Sequence, residues 1–212
     1  MLRRDSSHSC FKIQEPTPKE YVDSGKTLKY SEKREKMIKF RGYIQVYTGD
    51  GKGKTTAALG LALRAIGYGL RVYIGQFLKG QMYGELSSAK KLSPDIKIEQ
   101  FGRKGFIHVT KDPDEEDVKR AKRGLKKCFD AMLSQKYSII ILDEINVAVY
   151  FNLLSEKEVL EFLCQKPENI ELILTGRYAP ASFLKKADLV TVMKGKKHYY
   201  QKGVKAREGI EK

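Results

Sequence analysis

The stretch that most limits the fold of this chain is YTGDGKGKTTAALGLALRAIGYG, residues 47–69. A short β-rich run, YIQVYT, leads into a loop with glycines at 49, 51 and 53. Thr55 to Ile66 then carries Ala58, Leu59, Ala62, Leu63 and Ile66 at helical spacing, and Gly67 and Gly69 end the helix. Strand, glycine loop and helix N-terminus in that order make a phosphate-binding loop. The glycines let successive backbone N–H groups turn inward, Lys54 adds a mobile cation, and the Thr55 hydroxyl is placed to ligate Mg²⁺. The general pattern G-x-x-x-x-G-K-[ST] puts its second glycine at Gly53 and its first at position 48, where this chain has Thr48.

The remainder of the chain repeats the alternation. LRVYIGQF, IKIEQ, YSIIILDE, IELILTG and ADLVTVM read as strands, separated by segments of helical character. In KDPDEEDVKRAKRGLKKCFDAMLS, Asp112 is expected as N-cap and Pro113 as the first helical residue. Val118, Ala121, Leu125, Cys128 and Met132 form one apolar stripe on that helix. Ser155 and Glu158 have the spacing of a capping box. Such alternation predicts an α/β fold: a doubly wound, mainly parallel sheet like that of the phosphate-loop nucleotide hydrolases. The expected organisation is a mobile lead-in over 1–27, a basic N-terminal helical extension over 28–41, and the α/β domain over 42–212.

A phosphate loop usually has a carboxylate partner at the end of a hydrophobic strand, close to the metal. IIILDE supplies Asp143 and Glu144. Adjacent residues on an extended strand point to opposite faces, so one of the two is expected to approach the metal directly.

Composition narrows the function classes. The formal net charge is +15, which suits a nucleic acid or a polyanionic small substrate; basic and acidic residues are interspersed along the chain, which favours the latter. No apolar run reaches the ~18 residues of a membrane span, so no membrane partner is expected. Cys10, Cys128 and Cys164 lack metal-ligand spacing, and an odd count argues against a disulfide framework; a reducing cytoplasm fits. Cys128 and Cys164 both read as core residues of helices.

From about Phe40 onward the chain resembles the cob(I)alamin (ATP:corrinoid) adenosyltransferases of the corrinoid-salvage type. The segments that carry the resemblance are TGDGKGKTTAALGLALRAIGYG, QFLKG, IIILDEINVAVYF, ILTGRYAP and KHYYQKGVKAREGIE. Thr48 belongs to that family's own loop pattern. The resemblance implies that Co(I) of a corrinoid attacks the 5′ carbon of ATP and that the whole triphosphate leaves. It places Gly49, Asp50, Gly51, Lys52, Gly53, Lys54, Thr55 and Thr56 around the triphosphate, Thr55 and Glu144 around Mg²⁺, and Asp143 in support. Arg64 and Arg177 match family arginines near the nucleotide. Phe106, in GRKGFIHVT, matches an aromatic residue beneath the corrin, and His108 stands where many relatives have a second aromatic; its imidazole either stacks, approaches cobalt or is exposed. The resemblance further implies a homodimer, an N-terminal helix reaching over the corrinoid, and a reduced flavoprotein as electron donor. Two other classes remain open to the residues alone: a phosphate-loop ATPase or kinase with another acceptor, and a nucleic-acid-binding protein.

Overall fold

The computed structural model describes residues 40–103 and 113–212. Strands β1 (Ile44–Thr48), β2 (Val72–Phe77), β3 (Ile96–Phe101), β4 (Ile139–Asp143), β5 (Glu171–Thr175) and β6 (Leu189–Val192) form one sheet in the order β3-β2-β4-β5-β1-β6. Every neighbouring pair is parallel. Parallel strands need crossovers, and helices α1 (Lys54–Gly67), α2 (Gly84–Lys91), α3 (Glu115–Leu133), α4 (Ile145–Tyr150), α5 (Glu156–Cys164) and α6 (Ala181–Lys186) supply them. The doubly wound α/β class expected from the sequence is the one observed.

The alternation of side chains along each strand divides the core in two. Ile139 and Ile141 face one layer with Ala58, Ala62 and Ala65 of α1 and Ala89 of α2. Ile140 and Leu142 face the other with α3, Val159, Phe162 and Leu163 of α5, and Phe183 of α6. On this second side α3 sits very close to the sheet. A Cβ at Gly75 of β2 would lie 2.3 Å from Cys128 Sγ, so the two elements meet where one has no side chain. Cys128 is fully buried there, and burial pushes its thiol pKa up.

Four sequence expectations change in detail. The N-cap of α3 is Asp114, whose side chain accepts from Glu116 N–H at 2.8 Å; Pro113 precedes the helix, and Asp112 lies outside the described residues. Asp114 wins because its carboxylate also meets Arg103 Nη2 at 3.1 Å. Leu63 is turned outward and is 61% exposed, because the seam against the sheet runs through the smaller Ala58, Ala62 and Ala65. Cys164, the last residue of α5, is exposed rather than core. Glu144 is not part of an extended strand, as described below. The capping box is formed as expected: Ser155 Oγ accepts from Glu158 N–H, and Glu158 accepts from Ser155 N–H. Among the described residues no helix is long and apolar enough to cross a membrane.

Candidate nucleotide site

At the C-terminal ends of β1, β2, β4 and β5 the chain leaves the sheet in turns, the place where open parallel sheets bind ligands. The phosphate loop occupies residues 48–54 between β1 and α1. Gly49 (φ 96°) and Gly53 (φ 123°) adopt left-handed conformations that favour glycine. The loop lies directly on the segment after β6. Gly51 N–H donates to the Met193 carbonyl at 2.8 Å, Met193 N–H donates to the Thr48 carbonyl at 2.8 Å, and Gly195 N–H donates to Asp50 Oδ1 at 3.3 Å. A Cβ at Gly49 would stand 2.3 Å from the Met193 carbonyl oxygen, which leaves no room for any side chain.

Lys54 opens α1 and is 8% exposed. Its ammonium donates to the carbonyls of Gly49 at 2.8 Å and Gly51 at 2.7 Å, so the lysine folds back across its own loop. Burial lowers its pKa, Glu144 and Asp50 raise it and Arg177 lowers it further, with a net downward shift. Gly53 is the N-cap of α1 and offers no side-chain acceptor, so the N–H groups at this helix start are not capped by a side chain. Asp50, Lys52 and Thr56 are exposed around the loop, and Thr55 is partly buried.

Asp143, the last residue of β4, is 1% exposed and receives four donors. Oδ1 accepts from Thr55 Oγ1 at 2.9 Å and Thr175 Oγ1 at 2.7 Å. Oδ2 accepts from Lys79 Nζ at 2.8 Å and Gln76 Nε2 at 3.2 Å. A carboxylate has about four lone-pair positions, so Asp143 is saturated and acts as a bracket for the loop. The chain then turns sharply. Glu144 is left-handed (φ 64°), and its N–H donates to Thr175 Oγ1 at 2.9 Å. The opposite-face expectation for an extended Asp-Glu pair therefore does not apply, because the strand stops between the two residues. Glu144 is partly buried, and its carboxylate makes no hydrogen bond among the described residues. Burial and the neighbouring Asp143 raise its pKa, against the opposing pull of Lys79, Lys54 and Arg177.

Lys79 was not singled out from sequence. It lies in the turn after β2, is 16% exposed in its side chain, and pairs with Asp143 and, at 3.6 Å, with Glu85. Burial would lower its pKa, yet Asp143, Glu85 and Glu144 together raise it. Only its place in QFLKG was visible beforehand, since its partner is 64 residues away. Asn146 was also missed: it is fully buried, and its Nδ2 donates to the Gly176 carbonyl at 3.1 Å, fixing the turn that presents Arg177.

Arg177 is exposed at the end of β5, its guanidinium carbon 5.6 Å from the centroid of the Tyr178 ring, and its charge reaches both Lys54 and Glu144. Arg64 is in the last turn of α1, ten residues beyond Lys54 and thus roughly 15 Å along the helix, and its field acts on Tyr47. Within this chain it stands apart from the loop. Phe106 and His108 lie outside the described residues.

A glycine loop at a helix start, a buried lysine across it, and a strand-end carboxylate holding the loop threonine define a phosphate-loop nucleotide-binding protein. Residues 40–211 match the family of ATP:corrinoid adenosyltransferases BtuR/CobO/CobP, and the chain belongs to that family. The corrinoid adenosyltransferase of Sinorhizobium sp is 35% identical over 203 residues, covering 92% of this chain and 94% of its own length. The corrinoid adenosyltransferase of Pseudomonas aeruginosa is 31% identical over 172 residues, 81% of this chain and 84% of the relative. That of Escherichia coli K12 is 34% identical over 171 residues, 81% and 86% respectively.

Proposed function

We propose that this chain transfers the 5′-deoxyadenosyl group of ATP to the Co(I) centre of a corrinoid and releases triphosphate. The observation that carries the reading is the family match across residues 40–211, which spans the whole phosphate site. In the reaction the electron pair of Co(I) forms the bond to the ribose 5′ carbon, and the C5′–O bond breaks with its pair going to the triphosphate. The attacking atom comes from the substrate, so no protein nucleophile is required. What the protein must do is stabilise charge that develops on the departing oxygen and hold the two reactants in line.

The residues around the loop suit that task. The N–H groups at the start of α1 and the Lys54 ammonium face polyanionic oxygen, with Lys54 exchanging its two carbonyl partners for phosphate. Gly49, Asp50, Gly51, Lys52, Gly53 and Thr56 shape the cradle, and Arg177 borders it. Thr55 and Glu144 are hard oxygen donors suited to Mg²⁺: the Thr55 hydroxyl donates its hydrogen bond to Asp143 and keeps lone pairs for a metal, and the Glu144 carboxylate accepts no hydrogen bond among the described residues. When bound, Mg²⁺ neutralises charge on the leaving triphosphate. Among the described residues no group of three or more His, Cys, Asp or Glu side chains is arranged to hold a metal, which fits an ion shared with phosphates.

Phe106 as the corrin floor, His108 beside it, Arg64 near a nucleotide, a homodimer, a cytoplasmic setting and a reduced flavoprotein donor complete the proposal, and rest on the family resemblance. The deciding experiment is incubation with ATP, Mg²⁺ and chemically reduced cobalamin. Adenosylcobalamin with intact triphosphate supports the reading; ADP or phosphate without adenosylcobalamin would replace it with a hydrolase or kinase.

A further inference from the structure

The turn that carries Lys79 is built with unusual constraint. Leu78 is left-handed (φ 62°), a conformation that costs a branched side chain free energy and persists only where its surroundings impose it. Those surroundings are visible. Gly102 N–H donates to the Lys79 carbonyl at 2.8 Å, a Cβ on Gly80 would lie 2.3 Å from the Arg103 carbonyl oxygen, and one on Gly102 would lie 2.4 Å from the Leu78 carbonyl carbon. Two chain segments are pressed together without side chains between them, and the result is a lysine aimed at the end of β4.

Its ammonium occupies a definite electrostatic position. Nζ lies 2.8 Å from Asp143 Oδ2 and 3.6 Å from Glu85 Oε1, and 5.2 Å from the centroid of the Tyr83 ring. The acids are themselves fixed: Gln76 Nε2 donates to Glu85 Oε1 at 3.0 Å as well as to Asp143, and Gln100 Nε2 donates to Gln76 Oε1 at 3.0 Å. Asp50, Glu85, Asp143 and Glu144 against Lys54, Lys79 and Arg177 leave a single excess negative charge, four less three. A divalent ion approaching the Asp143–Glu144 pair on its own would meet the Lys79 charge at short range and a carboxylate whose acceptor positions are filled. A polyphosphate arriving with the ion brings the missing negative charge and further oxygen ligands, which is the usual way Mg²⁺ is held beside nucleotides.

We propose that Lys79 is a tethered cation that closes the Asp143–Glu144 pair to a free divalent ion, so that metal enters only together with the triphosphate of the nucleotide. The inference rests on the reading of Thr55 and Glu144 as the metal-binding groups. Lys79 is thereby a positioning residue: it holds Asp143 on the loop threonine and sets the order in which charge assembles.

The test uses Mn²⁺ as a paramagnetic stand-in for Mg²⁺, with no corrinoid present, and counts free Mn²⁺ by electron paramagnetic resonance. The wild-type chain should bind Mn²⁺ about tenfold or more weakly without ATP than with it. Lys79→Met should bind Mn²⁺ without nucleotide about tenfold more tightly than the wild type, and Lys79→Arg should behave as the wild type. Adding Glu144→Gln to Lys79→Met should abolish the gained binding. Equal Mn²⁺ affinity in wild type and Lys79→Met overturns the proposal, as does gained binding that survives the second substitution. Should Lys79→Met fail to fold, the wild-type and Lys79→Arg titrations still decide: tight nucleotide-free binding in either sinks the idea. Failure of the functional reading shows separately, in the phosphate product of the complete reaction.

Discussion

Thr55 Oγ1 donates to Asp143 Oδ1 at 2.9 Å across 88 residues of sequence, tying the first turn of α1 to the end of β4. This one bond joins the two motifs of the site, and it orients the threonine hydroxyl so that its proton points at the carboxylate and its lone pairs point away from it. Thr55→Val keeps the shape and removes the bond. It should lower stability by about 1–3 kcal/mol, since Asp143 is buried, and reduce kcat/KM at least roughly a hundredfold. Thr55→Ser should restore most of both. Thermal melts and a Mg²⁺ titration of adenosyl transfer check this, and a valine variant with wild-type metal dependence would exclude Thr55 as a ligand.

Among the described residues Lys54 Nζ donates to the carbonyls of its own loop alone, so its removal should spare the fold. Lys54→Ala is expected to lower adenosyl transfer by about 10²–10³-fold or more with a near-normal melting temperature. Activity close to wild type with excess chemically reduced cobalamin would remove Lys54 from the mechanism.

Glu144 gives a pH signature. Burial and Asp143 raise its native pKa above the ordinary value of 4.5, so the folded protein holds this proton more tightly than the unfolded chain does. Its contribution to stability is present in acid and is lost as pH rises from the ordinary value through the raised one. In the nucleotide-free protein Glu144→Gln should therefore be more stable than the wild type near neutrality, with a flatter profile, while losing transferase activity. Denaturant melts across that range provide the check; superimposable profiles would refute the stated environment of Glu144.

Gly49 combines a left-handed backbone with contact against Met193. Gly49→Ala should cost roughly 1–3 kcal/mol of stability and weaken ATP binding at least about tenfold, leaving corrinoid binding little changed. Calorimetric titration with each substrate separates the two effects.

Phe106 carries the corrinoid part of the proposal. With ATP present, Co(II) cobalamin bound to the wild type should give a four-coordinate cobalt signal in electron paramagnetic resonance. Phe106→Ala should diminish that signal without changing ATP affinity. An unaltered signal would remove Phe106 from the corrin floor.

The sheet was legible in the sequence because buried parallel strands read as near-continuous apolar runs; IIIL at 139–142 and ELILT at 171–175 need little context. The helices at 84–91, 145–150 and 181–186 were not, since six to eight residues complete too few turns for a period to emerge. The loop residues were legible because the motif is local. Lys79 and Asn146 were not, because each acts on a partner supplied by a different strand end. Asp114 as the N-cap of α3 was not legible for the same reason: Arg103, which pairs with Asp114 and with Asp117, reaches α3 from the end of β3.

The contact between the glycine loop and Met193–Gly195 sets how far the motif can travel. Asp50 and Gly195 are 145 positions apart, and no stretch of eight or nine letters contains both. Grafted alone onto another parallel sheet, TGDGKGKTT would arrive without the floor that spreads it, and its glycines would be free to collapse into many shapes. Descent can therefore vary the outer faces of this domain far more freely than the few residues after its last strand, and a truncation that spared every letter of the loop could still silence it.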